Sequence, residues 1–481
     1  MRAMTLAEVR EAVHGRWLAR GGVQTVQGVT TDTRSAGLRP PRGAGQLFFA
    51  LAGRRTDGHK YLAQAAEAGC VAAIVAADAN IPPETLAAFG AGVIAVADTT
   101  AALGDLAAQH RKLVSAPAVI GVTGSNGKTT VKRMIHHILS RRLRGTCSPK
   151  SFNNNIGLPL TLLGVSPGDD YVICEIGTNA PGEIAALSRI ARPDLAVITS
   201  IGPAHLERLG SIERVAVEKA SILGSLTDDG LGVICTDSPQ LAKAVRNYRC
   251  RLIGFGESSE ADLRLTGFEP AGRRQRFQLN GRLWVDLPMP GRHNAMNALA
   301  ALAAAQRFGI DQSDSAAALA DFGGEAMRLE WIEVGGGALI NDAYNANPAS
   351  MAAAADVLAG CGGGRKVFIV GDMRELGEQA RELHLEVGRT AARRGVDLVI
   401  AVGPLGRYIA EGASELGTAT AEFESVQAAA QAAAGLVRPG DRVLVKGSRA
   451  MGMEGMIPAI RAALEAPRGA VKTDRPKRPK R

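Results

Sequence analysis

The sequence predicts an α/β protein of three successive units: a small N-terminal α/β unit, a central phosphate-loop unit with a parallel sheet, and a C-terminal doubly wound, Rossmann-like α/β unit. Three observations carry that reading. The length, 481 residues, suits roughly three domains. Apolar runs of strand length alternate with helical stretches through most of the chain, the pattern of parallel sheets covered on both faces. Residues 119–130, Val-Ile-Gly-Val-Thr-Gly-Ser-Asn-Gly-Lys-Thr-Thr, read as a strand entering a glycine-rich turn whose Lys-Thr-Thr opens a helix through Arg141. The expected divisions are 1–114, 115–327 and 328–466, with a basic tail at 467–481.

The first unit begins with an amphipathic stretch over 6–18, followed by Val29-Thr30-Thr31-Asp32-Thr33-Arg34 and a Pro/Gly-rich loop at 38–45. A strand over 46–51, the loop Asp57-Gly58-His59, a helix over 61–68 and strands at 72–76 and 93–96 complete it. Its two polar loops are equally consistent with turn chemistry alone. A helix over 99–113 then leads into the central unit.

In the central unit the loop Gly124-Ser125-Asn126-Gly127-Lys128-Thr129-Thr130 has the composition of an anion cradle. Small residues let backbone N–H groups close on phosphate, and a helix N-terminus adds unpaired donors and a positive dipole end. Lys128 is then placed for the β/γ-phosphates and the Thr129 hydroxyl for Mg²⁺. The generic pattern wants a glycine where Val122 stands, with Gly121 and Gly124 flanking that place. The Gly-x-x-Gly-x-x-Gly spacing also suits a dinucleotide fingerprint poorly. Strands are expected at 171–174, 195–199, 231–236 and 251–255, then short antiparallel strands at 264–268, 275–279 and 283–285 with Asn280-Gly281 as a hairpin turn. An alanine-rich helix runs from Gly291 to Phe308. The third unit starts near Arg328, with strands at 337–341, 366–371, 397–402 and 442–446.

Composition weighs against some classes. The net charge is +9, but the last fifteen residues hold seven Lys/Arg against Asp474, a balance of +6 that leaves +3 for the rest. A proline-interrupted, apolar-poor segment of that kind reads as a solvated, disordered tail, not a nucleic-acid surface. The six cysteines are scattered and form no C-x-x-C, as expected of reduced core thiols. No apolar run approaches 18 residues, so the expectation is a cytoplasmic protein without a membrane span. Aromatic residues are 4% of the chain, so its helices should pack through alanine and aliphatic side chains.

Candidate chemistry lies at strand ends, where ligands of parallel sheets gather. Glu175 follows the run 171–174 and adjoins Gly177-Thr178-Asn179, a fitting place for a metal carboxylate beside a phosphate loop. His205 sits in the Gly-Pro loop after the next strand, and Lys219 in the helix expected over 212–223. Singly, a solvated loop histidine and a charged helix-face lysine are the ordinary explanations for these two.

Together with Gly291-Arg292-His293-Asn294-Ala295-Met296-Asn297-Ala298, these motifs occur in the order found in the Mur ligases, and the chain resembles that family from about residue 29 to 460. Four further stretches point to the member that joins D-Ala-D-Ala to UDP-MurNAc-tripeptide: 152–159, 342–348, 371–377 and Lys446-Gly447-Ser448-Arg449. The resemblance implies an ATP-dependent, acyl-phosphate-forming ligase of peptidoglycan precursor synthesis, monomeric, with an N-terminal UDP-substrate domain. It implies that Lys128, Glu175, His205 and Lys219 are catalytic. One Mg²⁺ would lie at Thr129 and Glu175, and a second at His205 and a carbamylated Lys219, a modification that turns a repelling cation into an anionic oxygen ligand. ATP would be held by Gly124, Ser125, Asn126, Gly127, Lys128, Thr129, Thr130, Asn294, Asn297, Arg328 and Asp342. The substrates would meet Thr31, Asp32, Arg34, Asp57, Gly58, His59, Asn154, Tyr344, Asn345, Asn347, Lys446, Ser448 and Arg449. Folylpolyglutamate synthase, a phosphate-loop kinase or motor ATPase, and a nucleic-acid-binding NTPase stay as alternatives.

Overall fold

The computed structural model describes residues 1–22, 25–34, 45–53, 56–114 and 117–466. Residues 38–44 of the Pro/Gly-rich loop, Ser115-Ala116 at the expected first boundary, and the basic tail lie outside them.

The N-terminal sheet has the strand order Met4–Thr5, Thr25–Thr30, Gly45–Phe49, Cys70–Ala76, Gly92–Val96, Arg16–Arg20. Its four inner strands are parallel and the two edge strands antiparallel. The amphipathic start divides in two. Helix Leu6–Ala12, capped by Thr5 and Glu8 in a reciprocal box, ends before His14, whose φ of 51° turns the chain into strand Arg16–Arg20. Apolar spacing alone does not register that break, because Trp17 and Leu18 continue the hydrophobic pattern.

Nine strands form the central sheet, in the order Leu283–Leu287, Arg274–Leu279, Leu263–Ala271, Arg251–Gly256, Leu231–Cys235, Leu195–Ile198, Ala118–Thr123, Tyr171–Glu175, Gly145–Cys147. Asn280 (φ 51°) and Gly281 (φ 70°) make the expected hairpin turn, both in the left-handed region. The edge strand Gly145–Cys147 is too short to be seen in the sequence pattern. Apolar clusters fill both faces of the sheet. On one face the helix Arg292–Gln306 is buried nearly all round, which its alanines permit by letting helix Lys128–Leu139 and the sheet approach closely.

Register positions the site. Val122 pairs with Glu175 on one side, and Thr123 with Ile198 on the other. The phosphate loop therefore emerges between the strand ending in Glu175 and the strand leading to His205. The third sheet, Glu330–Val334, Gly337–Asp342, Arg442–Lys446, Lys366–Gly371, Leu398–Val402, Ala419–Phe423, is parallel except for its first strand. Its pairing of Asp342 with Lys446 sets both at the carboxyl edge facing the central domain.

Two boundaries differ in kind. Helix Thr99–Leu113 lies against Gly157–Leu163 and Glu183–Ala191, where Leu103, Leu106 and Ala107 share one buried cluster with Leu158, Leu162 and Ile184. The C-terminal domain instead meets the central domain mainly through polar contacts around the phosphate loop, with Leu383 packed on Leu206, Leu209 and Val215.

Candidate active site

The phosphate loop is braced by its neighbours. Ser125 N–H donates to Ser200 O at 2.8 Å, and Asn126 N–H to Ser200 Oγ at 3.0 Å. Ser125 Oγ donates to Gly202 O and accepts from Gly202 N–H, both at 3.0 Å. Gly124, at φ 146°, runs so close to the next strand that a Cβ there would lie 2.0 Å from Thr199 Oγ1. Gly124, not Gly121, is thus the loop's conformational glycine, and Gly121 sits within strand Ala118–Thr123. A Cβ on Gly127 (φ 82°) would lie 2.3 Å from Asn297 Oδ1. Lys128 Nζ folds back to Gly124 O at 2.9 Å. Burial pushes its pKa down; Glu175 opposes that shift and Arg328 adds to it.

Glu175 is 1% exposed and held entirely from within its own domain. Thr129 Oγ1 donates to Oε2 at 2.9 Å, Asn153 Nδ2 donates to Oε1 at 3.1 Å, and Lys132 Nζ lies 3.3 Å from Oε2. Lys132 also donates to Ser148 O at 2.8 Å and Lys150 O at 2.5 Å, so its buried ammonium is fully partnered. Sequence reading missed Lys132 and Asn153. The signal for Lys132 was its i,i+4 spacing from Lys128, which stacks the two cations on one helix face.

His205, backbone φ 56°, lies 2.5 Å through Nδ1 from Glu375 Oε2 of the C-terminal domain, at ion-pair distance but without hydrogen-bond alignment. Lys219 is 1% exposed, and its pKa is pushed down to about 7 by burial and by Lys128, against Glu218 and Glu183. The nearest carboxylate in sequence, Glu218, is occupied by Gly182 N–H and Ile184 N–H at 2.7 and 2.9 Å. Among the described residues no three His, Cys, Asp or Glu side chains converge as a metal cluster. Metal sites here would draw on Thr129 and a modified Lys219 as well.

The C-terminal wall is built around Asp342. Lys446 Nζ donates to its Oδ2 at 2.6 Å and to Asn345 O at 2.9 Å, while Leu329 N–H donates to Oδ1 at 3.1 Å. Arg328 reaches across to donate to Thr129 Oγ1 at 2.9 Å and stacks on Tyr344, 4.0 Å from its ring centroid. Tyr344 Oη also meets Ser151 Oγ. Asn126 and Asn347 exchange side-chain amide hydrogen bonds at 3.3 and 2.7 Å.

One cavity of about 1010 Å³ collects these groups. It is lined by Ser125 to Thr130, Asn154, Glu175, His205, Asn294, Asn297, Arg328, Asp342, Tyr344, Asn345, Asn347, Lys446, Ser448 and Arg449. Gly124 and Lys219 are not among its lining residues. Within it Asn297 Nδ2 donates to Asn294 Oδ1 at 3.1 Å, and Asn154 Oδ1 accepts from Ile156 and Gly157 N–H groups. The six N-terminal candidates lie outside this cavity. Asp32 pairs with Arg34 at 2.7 Å; Asp57 Oδ1 accepts from His59 N–H and stands 2.6 Å from its Nδ1; His59 Nε2 accepts from Ala76 N–H at 2.9 Å. Turn chemistry accounts for the Asp32–Arg34 and Asp57–His59 contacts, whereas the bond from Ala76 N–H ties His59 to the end of strand Cys70–Ala76.

Fold and cleft together define a phosphate-loop nucleotide-binding protein whose site is shared between two domains. The chain belongs to the Mur ligase family. The family's catalytic-domain model matches residues 25–111, the Mur ligase middle domain 122–305, and the Mur ligase glutamate ligase domain 327–449. The UDP-N-acetylmuramoyl-tripeptide–D-alanyl-D-alanine ligase of Bacillus subtilis (strain 168) is 38% identical over 463 residues, covering 94% of this chain and 97% of that one. A crystal structure of MurF from Acinetobacter baumannii superposes with a TM-score of 0.85 at 32% identity, covering 96% of this chain and 99% of that one. MurF ligase from Thermotoga maritima in complex with ADP gives 0.79 at 26% identity, over 92% and 98%.

Proposed function

We propose that this chain joins D-alanyl-D-alanine to UDP-MurNAc-tripeptide at the expense of ATP, forming ADP and phosphate in the synthesis of peptidoglycan precursors. The observation that carries the reading is the cavity itself: a phosphate loop with Lys128 and Glu175 on one wall faces Arg328, Asp342 and Lys446 on the other.

The terminal carboxylate of the tripeptide attacks the γ-phosphorus of ATP, forming an acyl phosphate and releasing ADP. The dipeptide amine then attacks the acyl carbon, the C–N bond forms, and the C–O bond to phosphate breaks as the nitrogen gives up its proton. Bringing two anions together is the main obstacle. Lys128 and Arg328 supply fixed positive charge where charge develops in transfer. The loop N–H groups orient the phosphates, and Asn294 and Asn297 offer amide donors and acceptors for the adenine. Asp342 is the ribose contact of this reading, and the loops bearing Tyr344, Asn345, Asn347, Ser448 and Arg449 flank the peptide.

Thr129 and Glu175, an adjacent hydroxyl and carboxylate, suit a hard cation, so they would hold one Mg²⁺. His205 and a carbamylated Lys219 would hold a second, and burial that leaves much of Lys219 as free amine near neutral pH suits reaction with CO₂. Bound there, Mg²⁺ would polarise the γ-phosphoryl group and screen its charge.

Residues 1–114 form the UDP-substrate domain, with Thr31, Asp32, Arg34, Asp57, Gly58 and His59 at its pocket. Residues 115–327 bind the nucleotide and 328–466 complete the ligase. The enzyme acts as a monomer in the cytoplasm; among the described residues no helix is long and apolar enough to cross a membrane. The test is phosphate release from ATP with UDP-MurNAc-tripeptide, with and without D-Ala-D-Ala. Release should require the dipeptide, and release indifferent to it would sink the reading.

A further inference from the structure

We propose that Glu375 is a positioning residue for this reaction: it is the C-terminal domain's carboxylate that fixes the imidazole of His205 when the two domains are docked. The inference rests on the ligase reading above and adds a residue to it.

The two partners come from different domains and share an unusual backbone. His205 has φ 56° and Glu375 φ 66°, and neither is glycine. Left-handed backbone at such residues persists only where the surroundings over-determine it. Here they do. His384 Nε2 accepts from Met373 N–H at 2.9 Å, Ser448 Oγ accepts from Arg374 N–H at 2.9 Å, and Asp372 Oδ1 accepts from Leu405 and Gly406 N–H groups. Met373 and Leu376 are buried on either side. The loop is thus anchored at every step up to Glu375, and its end meets the central domain: Glu207 N–H donates to Glu375 O at 3.2 Å, and Gly377 packs on Glu207.

The result is a carboxylate oxygen 2.5 Å from His205 Nδ1. A histidine has two ring nitrogens, and a carboxylate on one sets which is left to act as a ligand. With Nδ1 at ion-pair distance from Glu375, a small turn of the ring would align that contact and leave Nε2 as the nitrogen to serve. His205 borders both the main cavity and a recess of about 450 Å³ that Glu375 also lines, so the ring has room to turn once that carboxylate is gone. Undocking the C-terminal domain would remove the orienting group, which ties the His205 half of the site to closure.

The experiment compares wild type with E375A, E375Q, H205A and the E375A/H205A double variant. It reads kcat, KM for each substrate, and Mn²⁺ affinity of the enzyme–ADP complex by electron paramagnetic resonance; thermal midpoints confirm folding. E375A should lower kcat and Mn²⁺ affinity by about 10–100-fold, the usual cost of losing a carboxylate behind a ligating histidine, with KM for the UDP substrate nearly unchanged. E375Q, which keeps an acceptor for Nδ1–H, should recover much of the loss. In the H205A background, removing Glu375 should cost nothing further. Folded E375A with wild-type kcat and Mn²⁺ affinity would overturn the proposal, and so would an undiminished E375A effect on H205A. Wild type without dipeptide-dependent turnover would overturn the ligase reading instead, while the Mn²⁺ titration still decides the role of Glu375.

Discussion

The boundary between the first and central domains and that between the central and third are made of different materials. The first is a shared apolar cluster, with Leu103, Leu106 and Ala107 of one helix set among Leu158, Leu162 and Ile184, pinned at its rim by Arg111 and Asp194 at 2.7 Å. The second is mainly polar, pairing Asn126 with Asn347, Thr129 with Arg328, Ser151 with Tyr344 and His205 with Glu375, and it also packs Leu383 against Leu206, Leu209 and Val215. Apolar area returned to water costs free energy in proportion to its extent, whereas hydrogen bonds are largely replaced by water. The first boundary therefore resists opening more than the second. The candidate chemistry sits at the second, where closure can assemble it with both substrates in place.

The largest effect should come from a residue that belongs to neither boundary. Lys219→Ala should lower turnover on the order of 10²-fold or more without disturbing either contact, and, if Lys219 carries the proposed carbamate, short carboxylic acids should restore part of it by taking that group's place. Full activity without additives would remove Lys219 from the site. Its pKa also makes a stability prediction for enzyme kept free of CO₂. Folding lowers the pKa from 10.5 to about 7, so the unfolded chain holds the proton more tightly and stability rises with pH between those values. Lys219→Met should therefore be more stable than wild type by a few kcal/mol at and below pH 7, the gap closing as pH approaches 10.5. Urea midpoints across that range check it; a pH-independent gap would show that the buried amine is not the cause.

Next in size is Lys132→Met, within the central domain. It strands the buried Glu175 carboxylate and frees two carbonyls, Ser148 O and Lys150 O. Breaking a buried pair from one side costs roughly 3–5 kcal/mol. Denaturant unfolding should show that loss; a change below about 1 kcal/mol would mean that Thr129 and Asn153 suffice for Glu175.

Much of this was legible in the sequence, for reasons that also mark the limit. Strands Lys366–Gly371 and Arg442–Lys446 and helix Thr99–Leu113 fall where their patterns place them, because each is an uninterrupted run with one period, the two strands buried inside their sheet. The strand ends bearing Glu175 and His205 followed from the rule that parallel sheets gather ligands at their carboxyl edge. Lys132 drew no reading, since only the fold shows that its helix face points at Glu175. Glu375 was hidden for a different reason. Its partner lies 170 positions earlier in another domain, and left-handed backbone at a glutamate leaves no mark in composition. The short or edge strands Gly145–Cys147, Glu330–Val334 and Ala419–Phe423 also escaped, their pairing being set by neighbours rather than by their own pattern.

The apolar boundary makes the complementary prediction. Leu106→Ala removes a fully buried side chain from the cluster and should cost about 2–5 kcal/mol in unfolding free energy. Specific activity per folded molecule should stay at the wild-type value. A fall in kcat larger than the loss of folded protein would show that the first boundary also moves during turnover and would erase the contrast drawn here.

The smallest effect tests the polar boundary alone. Asn347 both caps helix Pro348–Ala359, accepting from Ser350 N–H at 2.9 Å, and bonds Asn126 of the phosphate loop through Nδ2 at 2.7 Å. Asn347→Asp keeps a good cap and removes only the donor, so stability should change by less than about 0.5 kcal/mol. The lost hydrogen bond is worth about 0.5–1.5 kcal/mol to docking, and the new carboxylate faces the side where ATP phosphates would bind. KM for ATP should therefore rise several-fold, more at low ionic strength than at high, with kcat within about twofold of wild type. Because the helix cap survives the substitution and high ionic strength screens the new charge, the part of the shift that persists at high salt reports the contact between domains, and an unchanged KM would place the Asn126–Asn347 pair outside the catalytically closed state.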